Sequence, residues 1–460
     1  MTDSSPPSQA VLRQILGPVS VACVGIGGAI GSGIFATPGE AATYLGSPWV
    51  ILGVWLAAGF VTLLQSMVTA ELATRFPRAG GEYQFLKEAY GEFAAFFFGW
   101  SFTVFIVGGG AGTIAAAFGE FVAELLVMDQ SWAAPLFGCC AIFTVGIING
   151  LGLRTGAVTQ NLLTFLKTAA LLSIAIGAMV VAGRVTPAPT TFVTERAPDF
   201  GFEAFLLALM PAYWSFTGAT DSAKLAEETK DVHRALPRAL MATVGVLTLV
   251  YFFYNYALLC AVSPSEMAGR RSVPALIFSG ITSYPINDMV LIASALICLG
   301  AISSVFLANI RVTYALARDG LTFSTLGVMT KAQAPAVSIL VGGSLACAFV
   351  IRRGFTQILH IYFLASAVLF GLTYLSLIVF RLRDRRAGRG FPEGVYRTPR
   401  GMAVAVLLIG FEVAVAGSII ASDIRTKSLD SLYTLGLLAG LAVLYLVWRR
   451  AVPALQHRKA

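Results

Sequence analysis

Apolar positions in this chain come in long unbroken runs separated by short polar connectors. Runs of roughly 20 residues, enough to cross about 30 Å of hydrocarbon, begin near Pro18, Trp49, Phe93, Ala134, Ala157, Gly201, Ala239, Met289, Ala336, Phe355, Met402 and Leu432. The pattern predicts about twelve membrane helices and no sizeable soluble domain. Ahead of the first run the only cation is Arg13, and the run leads straight into further spans, which predicts a retained helix and not a cleaved signal.

Two runs carry interruptions. The first reads GIGGAIGSGIFATP at 25–38, five glycines and a serine where lipid offers no water to a broken backbone. Gly27 and Gly31 form a small-xxx-small pair that would serve close helix packing, but Gly31-Ser32-Gly33 followed by Pro38 and Gly39 interrupts more than packing requires. A break in mid-membrane is tolerated where it lines an enclosed cavity, and its half-helix N-terminus offers free N–H groups to an anion. An inverted-repeat transporter predicts a matching break in its second unit. If the unit is five helices, the partner is LALMPAYWSFTGATDSAKLAEE at 206–228, where Pro211 and Gly218 bracket the middle and free the carbonyls around Tyr213, Trp214 and Thr217 for an ammonium group. An anion site facing a cation site describes a free amino acid.

Composition agrees: 57% of residues are hydrophobic and 12% charged, and the mean hydropathy of +0.78 is that of an integral membrane protein. Most of the 32 Lys and Arg fall on the side that holds the N-terminus, whereas the opposite loops carry Arg184, Arg196, Arg270, Arg271, Arg352, Arg353, Arg425 and Lys427. This asymmetry predicts cytoplasmic termini and a multi-pass protein of the cytoplasmic membrane. It also accounts for the net charge of +8 without nucleic acid. The six cysteines lie in predicted spans without metal-type spacing, the histidines 233, 360 and 457 are scattered, and neither HExxH nor GxSxG occurs. No metal, cofactor or enzymatic activity is expected, an intramembrane hydrolase included.

Together GGAIGSGIF, ELATRFPRAGGEYQFLKEAYGEFAAFFFGW (71–100), YWSFTGATDSAKLAEETKDVHRALPRAL (213–240) and ANIRVTYALARDG (308–320) resemble the amino acid–polyamine–organocation (APC) superfamily, most closely its L-amino-acid transporter branch. The match covers helices one to eight. The resemblance implies an all-α integral membrane protein of the leucine-transporter fold, two inverted five-helix repeats plus two peripheral helices, that imports or exchanges amino acids by alternating access. The corresponding division is a tail 1–14, repeats 15–184 and 185–381, a basic loop 382–401, and the last two helices with a short tail 402–460.

Carried onto this chain, the resemblance implies that the first break, Ile30 to Ile34, binds the substrate carboxylate through the N–H groups of Ser32, Gly33 and Ile34. Carbonyls of Trp214 and Thr217 would take the amino group, with Tyr213 a further candidate and Gly218 and Thr220 completing the site. Trp214 would be the gate over bound substrate. Thr220 stands where exchangers of cationic substrates carry Glu, which points to neutral substrates unless Asp221 turns inward. The glycines of VGGGAGT at 107–113 suit either a pocket wall or helix packing. Lys167 sits roughly ten residues into its helix, near mid-membrane, and looks like the fifth-helix lysine that replaces sodium in sodium-independent relatives, with Ser303 and Ser304 as expected neighbours. It would be a fixed tether or a titrating proton carrier, so the reading is sodium-independent exchange, with proton symport as the alternative.

Glu412, alone in helix eleven, is expected at a dimer contact or in a local hydrogen bond. Arg381 to Arg389 is a basic cluster expected to touch anionic membrane lipid. Animal relatives tether a subunit through a cysteine in the loop between helices three and four; ELLVMDQSWAAP here has none, so no disulfide-linked subunit is expected, and the protein is read as a monomer or homodimer. A sensor that binds amino acids without transport would be expected to carry a signalling tail, whereas only about ten residues follow Arg450. A channel would need a continuous polar lining, whereas the polar residues cluster at the two breaks.

Overall fold

The structure, a computed structural model, describes residues 14–31, 33–185, 201–270, 272–279, 286–352 and 355–456. Ser32 lies outside the described residues, as do Arg13, Arg196, Arg271, Arg353, Arg458 and Lys459 of the charge pattern. The named elements are all helical, and one Leu16–Thr229 bridge is the β pairing among the described residues. In chain order the helices are α1 (Pro18–Ala29), α2 (Gly33–Tyr44), α3 (Pro48–Arg75), α4 (Glu82–Tyr90), α5 (Glu92–Ser101), α6 (Ala111–Leu125), α7 (Gln130–Gly150), α8 (Leu153–Val185) and α9 (Phe202–Phe216). They continue as α10 (Val232–Ala261), α11 (Pro264–Met267), α12 (Val273–Ser279), α13 (Ile286–Ser304), α14 (Ile310–Arg318), α15 (Ala336–Arg352), α16 (Phe355–Arg386), α17 (Gly401–Thr426) and α18 (Asp430–Gln456).

Among the described residues nine helical stretches are long and apolar enough to cross a membrane. The runs that begin near Pro18, Gly201 and Ala336 fall short of that length. Breaks cut the first two, leaving α1 with 12 residues and α9 with 15, while α15 has 17. Local sequence explains the ends. Pro48 opens α3 at a position that needs no N–H donor, and the Asp129 carboxylate accepts from Ser131 N–H at 2.9 Å to start α7.

Burial separates an inner bundle from outer helices. The apolar window of the continuous α5–α6 stretch is 89% buried, against 28% for α17 and for α18. Outward side chains such as Phe165, Ile176, Phe253 and Val413 are large, apolar and exposed, as a lipid-facing belt requires. Two inner helices contain π-helical stretches, Phe102–Gly110 between α5 and α6 and Val305–Asn309 between α13 and α14. Both wall the cavity described below, where such widened turns concentrate.

Candidate functional site

α1 ends at Ala29, Ile30 leaves the helical region with its N–H on Ile26 O, and α2 begins at Gly33. The first N–H groups of α2 have no partner within their own helix. Opposite, α9 stops at Phe216, and Gly218 takes φ +99°, a conformation that suits glycine. The two breaks meet backbone to backbone. A Cβ on Gly218 would lie 2.7 Å from Gly28 C, and one on Gly28 would lie 3.2 Å from Gly218 O. The small-residue pair of α1 also packs outward, Gly27 against Gln160 and Thr164 of α8 and Gly31 against Ala301 of α13. Close packing and chain breaking therefore occur in the same segment.

Carbonyls at the α1 break are satisfied by Lys167, and side chains of neighbouring helices add bonds to carbonyls one turn earlier in α1. Lys167 of α8, 2% exposed, donates to Gly27 O and to Ile30 O, the latter at 2.9 Å. Ser304 Oγ donates to Val24 O at 2.9 Å, and Thr164 Oγ1 to Cys23 O at 3.0 Å. An ammonium at the C-terminal end of a half-helix also complements its dipole. Of the expected neighbours of Lys167, Ser304 bonds the same helix α1 but not the ammonium, while Ser303 accepts from Asn149 at 3.2 Å. Gly300 is what leaves space for the lysine, since a Cβ there would meet Nζ at 3.1 Å.

A cavity of about 60 Å³ lies at the breaks, lined by Gly28, Gly31, Gly33, Trp214, Thr217, Gly218 and Thr220 among others. Ile30 and Ile34 are buried beside it but are not among its lining residues. Trp214 covers the α2 start: a Cβ on Gly33 would come within 2.8 Å of its Cδ1 and 2.9 Å of Ser215 Oγ. The indole packs edge-on against Tyr362 at 4.8 Å and Phe363 at 5.7 Å between ring centres. Thr37 Oγ1 bonds Ser215 Oγ at 2.9 Å, tying the two half-helices together. The glycines at 107–113 divide their roles. Gly110 lines the cavity, whereas Gly108 and Gly112 pack on α15 through Leu345, Phe349 and Ala346.

Asp221 does reach the cavity wall, but its charge is matched: Lys224 stands at 2.8 Å and Asn309 donates to it at 3.0 Å. Lys224 also pairs with Glu82 at 3.4 Å and lies 5.2 Å from the Phe102 ring. Burial pushes the Glu82 carboxyl above its usual range, against the pull of Lys224. Glu82 and Asp221 line the cavity on the side that carries α4. There Arg381 pairs with Glu71 at 2.6 Å, Arg75 with Asp384 at 2.7 Å, Arg318 with Glu227 at 3.1 Å and Lys87 with Asp319 at 2.8 Å. Arg383 donates to the last carbonyls of α4. Arg381 thus faces protein rather than lipid, a correction to the expectation for that member of the cluster, whereas Arg383, Arg385, Arg386 and Arg389 are exposed.

Glu412 is 3% exposed and hydrogen-bonds the Tyr213 hydroxyl. Of its two expected roles the structure has the local hydrogen bond. Tyr213 lines the cavity too, its ring packed edge-on against Phe411 and its hydroxyl accepting from Gln65. Sequence reasoning missed Gln65, Glu82, Lys224 and Asn309. The Thr62–Gln65–Thr69 spacing on one face of α3 was the signal available for the first of them.

A family profile described as amino acid permease matches residues 16–442. The chain is 26% identical to the b(0,+)-type amino acid transporter 1 of Oryctolagus cuniculus over 390 residues, 84% of this chain and 80% of that protein. It is 28% identical to the serine/threonine exchanger SteT of Bacillus subtilis (strain 168) over 446 residues, 94% of this chain and 97% of that one. With the Asc-type amino acid transporter 1 of Mus musculus it shares 27% over 384 residues, 82% and 72% of the two chains.

Proposed function

Because the chain belongs to the amino acid permease family of the APC superfamily, a family of multi-pass membrane transporters and not enzymes, we propose that it exchanges small neutral L-amino acids across the cytoplasmic membrane by sodium-independent alternating access. That it moves amino acids follows from its relatives; substrate size, coupling and orientation are our reading. In that reading both termini are cytoplasmic, the fold is that of the leucine transporter with about twelve helices, and residues 15–184 and 185–381 are inverted repeats ahead of two peripheral helices at 402–460.

The observation that carries the proposal is the pair of touching helix breaks, with the first N–H groups of α2 lacking a partner in their own helix and Lys167 on the carbonyls of α1. The substrate carboxylate would sit on the N–H groups of Gly33 and Ile34, together with Ser32. Its ammonium would face the α9 carbonyls at Trp214 and Thr217, with Trp214 as lid. The small cavity at the breaks, about 60 Å³, with the Trp214 indole over the start of α2, supports the reading of small substrates. Charged side chains are disfavoured because Asp221 already pairs with Lys224 and burial pushes the Glu82 carboxyl, which shares that lysine, toward its neutral form, and the exchanger relative named for serine and threonine agrees.

Proteoliposomes test this reading. Labelled serine should enter rapidly when the lumen holds unlabelled serine or alanine and slowly when it is empty. Equal entry into loaded and empty vesicles would show a uniporter. Proton symport is the second reading, favoured because the Lys167 ammonium meets backbone carbonyls and, among the described residues, no carboxylate is paired with it. Accumulation in empty vesicles driven by an imposed proton gradient would select it.

A further inference from the structure

The cavity extends beyond the two breaks. Its wall continues onto α3 through Thr62, Gln65 and Thr69, one face of that helix at spacings of three and four, and onto α16 through Thr373 and Tyr374. We propose that this compartment receives the substrate side chain and that the Gln65 carbonyl oxygen selects side chains bearing a hydroxyl or amide donor; the proposal rests on the transport reading above. On the α3 and α16 wall Gln65 is the amide. Thr62 and Thr373 donate to their own helices, at Ala58 O and Leu369 O. The Gln65 amide nitrogen donates to the Tyr213 hydroxyl, and the Tyr213 hydroxyl in turn interacts with Glu412. A primary amide has two donors and one carbonyl oxygen. With the amide nitrogen held on Tyr213 and Gln65 on the cavity wall, the carbonyl oxygen is the group turned toward the cavity. Glu412 and Tyr213 are positioning residues: the carboxylate takes the phenolic proton, so the phenol oxygen can only accept from Gln65, and the amide orientation is fixed from the outer helix α17.

A site built around an unpaired acceptor discriminates against substrates that cannot fill it, because the acceptor then stays desolvated and unbonded. Serine over alanine and threonine over valine are the matched pairs. The full chain in proteoliposomes, with competition of labelled-serine exchange by all four amino acids, provides the test. For the wild type we expect serine to compete roughly ten-fold better than alanine, and threonine better than valine by a similar factor. In Gln65→Leu both ratios should collapse toward one. Glu412→Leu should lower the ratios, and Glu412→Gln, which can still accept from Tyr213, should restore them; a merely structural Glu412 would change exchange rates without moving the ratios. Equal competition by serine and alanine in the wild type overturns the inference and leaves the transport reading standing, and it needs no variant to fold. Ratios unchanged in a folded Gln65→Leu protein overturn it as well. A wild type that moves no amino acid overturns the transport reading and this inference with it.

Discussion

The two helix breaks are built from different materials. The α1 break is held through its backbone: a lysine, a serine and a threonine from α8 and α13 satisfy the carbonyls of Gly27, Ile30, Val24 and Cys23. The α9 break is held mostly through rings and side chains. Tyr251 donates to Ser215 O at 2.8 Å, Tyr213 is fixed by Gln65 and Glu412, and Trp214 is wedged between Tyr362 and Phe363. A break held from its carbonyl side keeps its N–H side for a ligand, whatever the ligand's side chain. One shaped by side chains sets size and polarity. In our reading the first break therefore recognises what all amino acids share, and the second, with α3, recognises what distinguishes them.

Replacing Gly33 tests the general side of that division most severely. A Val side chain at this position starts 2.8 Å from Trp214 and 2.9 Å from Ser215 Oγ, so the α2 start must shift. Hydrogen bonds to a charged group contribute about 1.5–3 kcal/mol each, so Gly33→Val should cost every substrate alike roughly a hundred-fold or more in affinity. Equilibrium binding with a panel of amino acids checks this, and selective loss would assign Gly33 to specificity instead. Lys167→Met comes next. It leaves the Gly27 and Ile30 carbonyls buried without their donor, at about 1–3 kcal/mol each, and exchange should fall by one to two orders of magnitude for all substrates, read as initial rate at saturating serine.

On the side-chain side, Trp214→Ala removes the lid and its edge-on contacts, each worth about 0.5–1.5 kcal/mol. KM should rise roughly ten-fold, with faster efflux into substrate-free medium. The smallest effect belongs to Ser304→Ala, one neutral hydrogen bond worth about 1 kcal/mol. It should lower the melting temperature slightly and leave substrate preference alone; a changed preference would place Ser304 in the side-chain compartment.

Much of this was legible in the sequence for a simple reason: apolar runs are monotonous, so what interrupts them stands out. Glycine and proline marked both breaks, and a single cation in an apolar helix marked Lys167. Pairing across the fold was not legible. Ser303 and Ser304 are adjacent, so on a helix they point about 100° apart, and no periodicity says which one meets α1. Glu82, Lys224 and Asp221 lie on segments flanking the spans, where charges read as solvated until the fold buries them together. The π-helical stretches have no sequence signature, and Glu412 looked peripheral because its helix is, although its own side chain faces inward toward Tyr213.

The central claim is that the Lys167 ammonium occupies the electrostatic role a sodium ion would otherwise play at the α1 carbonyls. Initial rates of serine exchange in proteoliposomes, with all sodium replaced by choline at constant ionic strength, test it most directly. The wild type should exchange serine at the same rate in the two media; robust stimulation by sodium would mean that Lys167 does not fill that role.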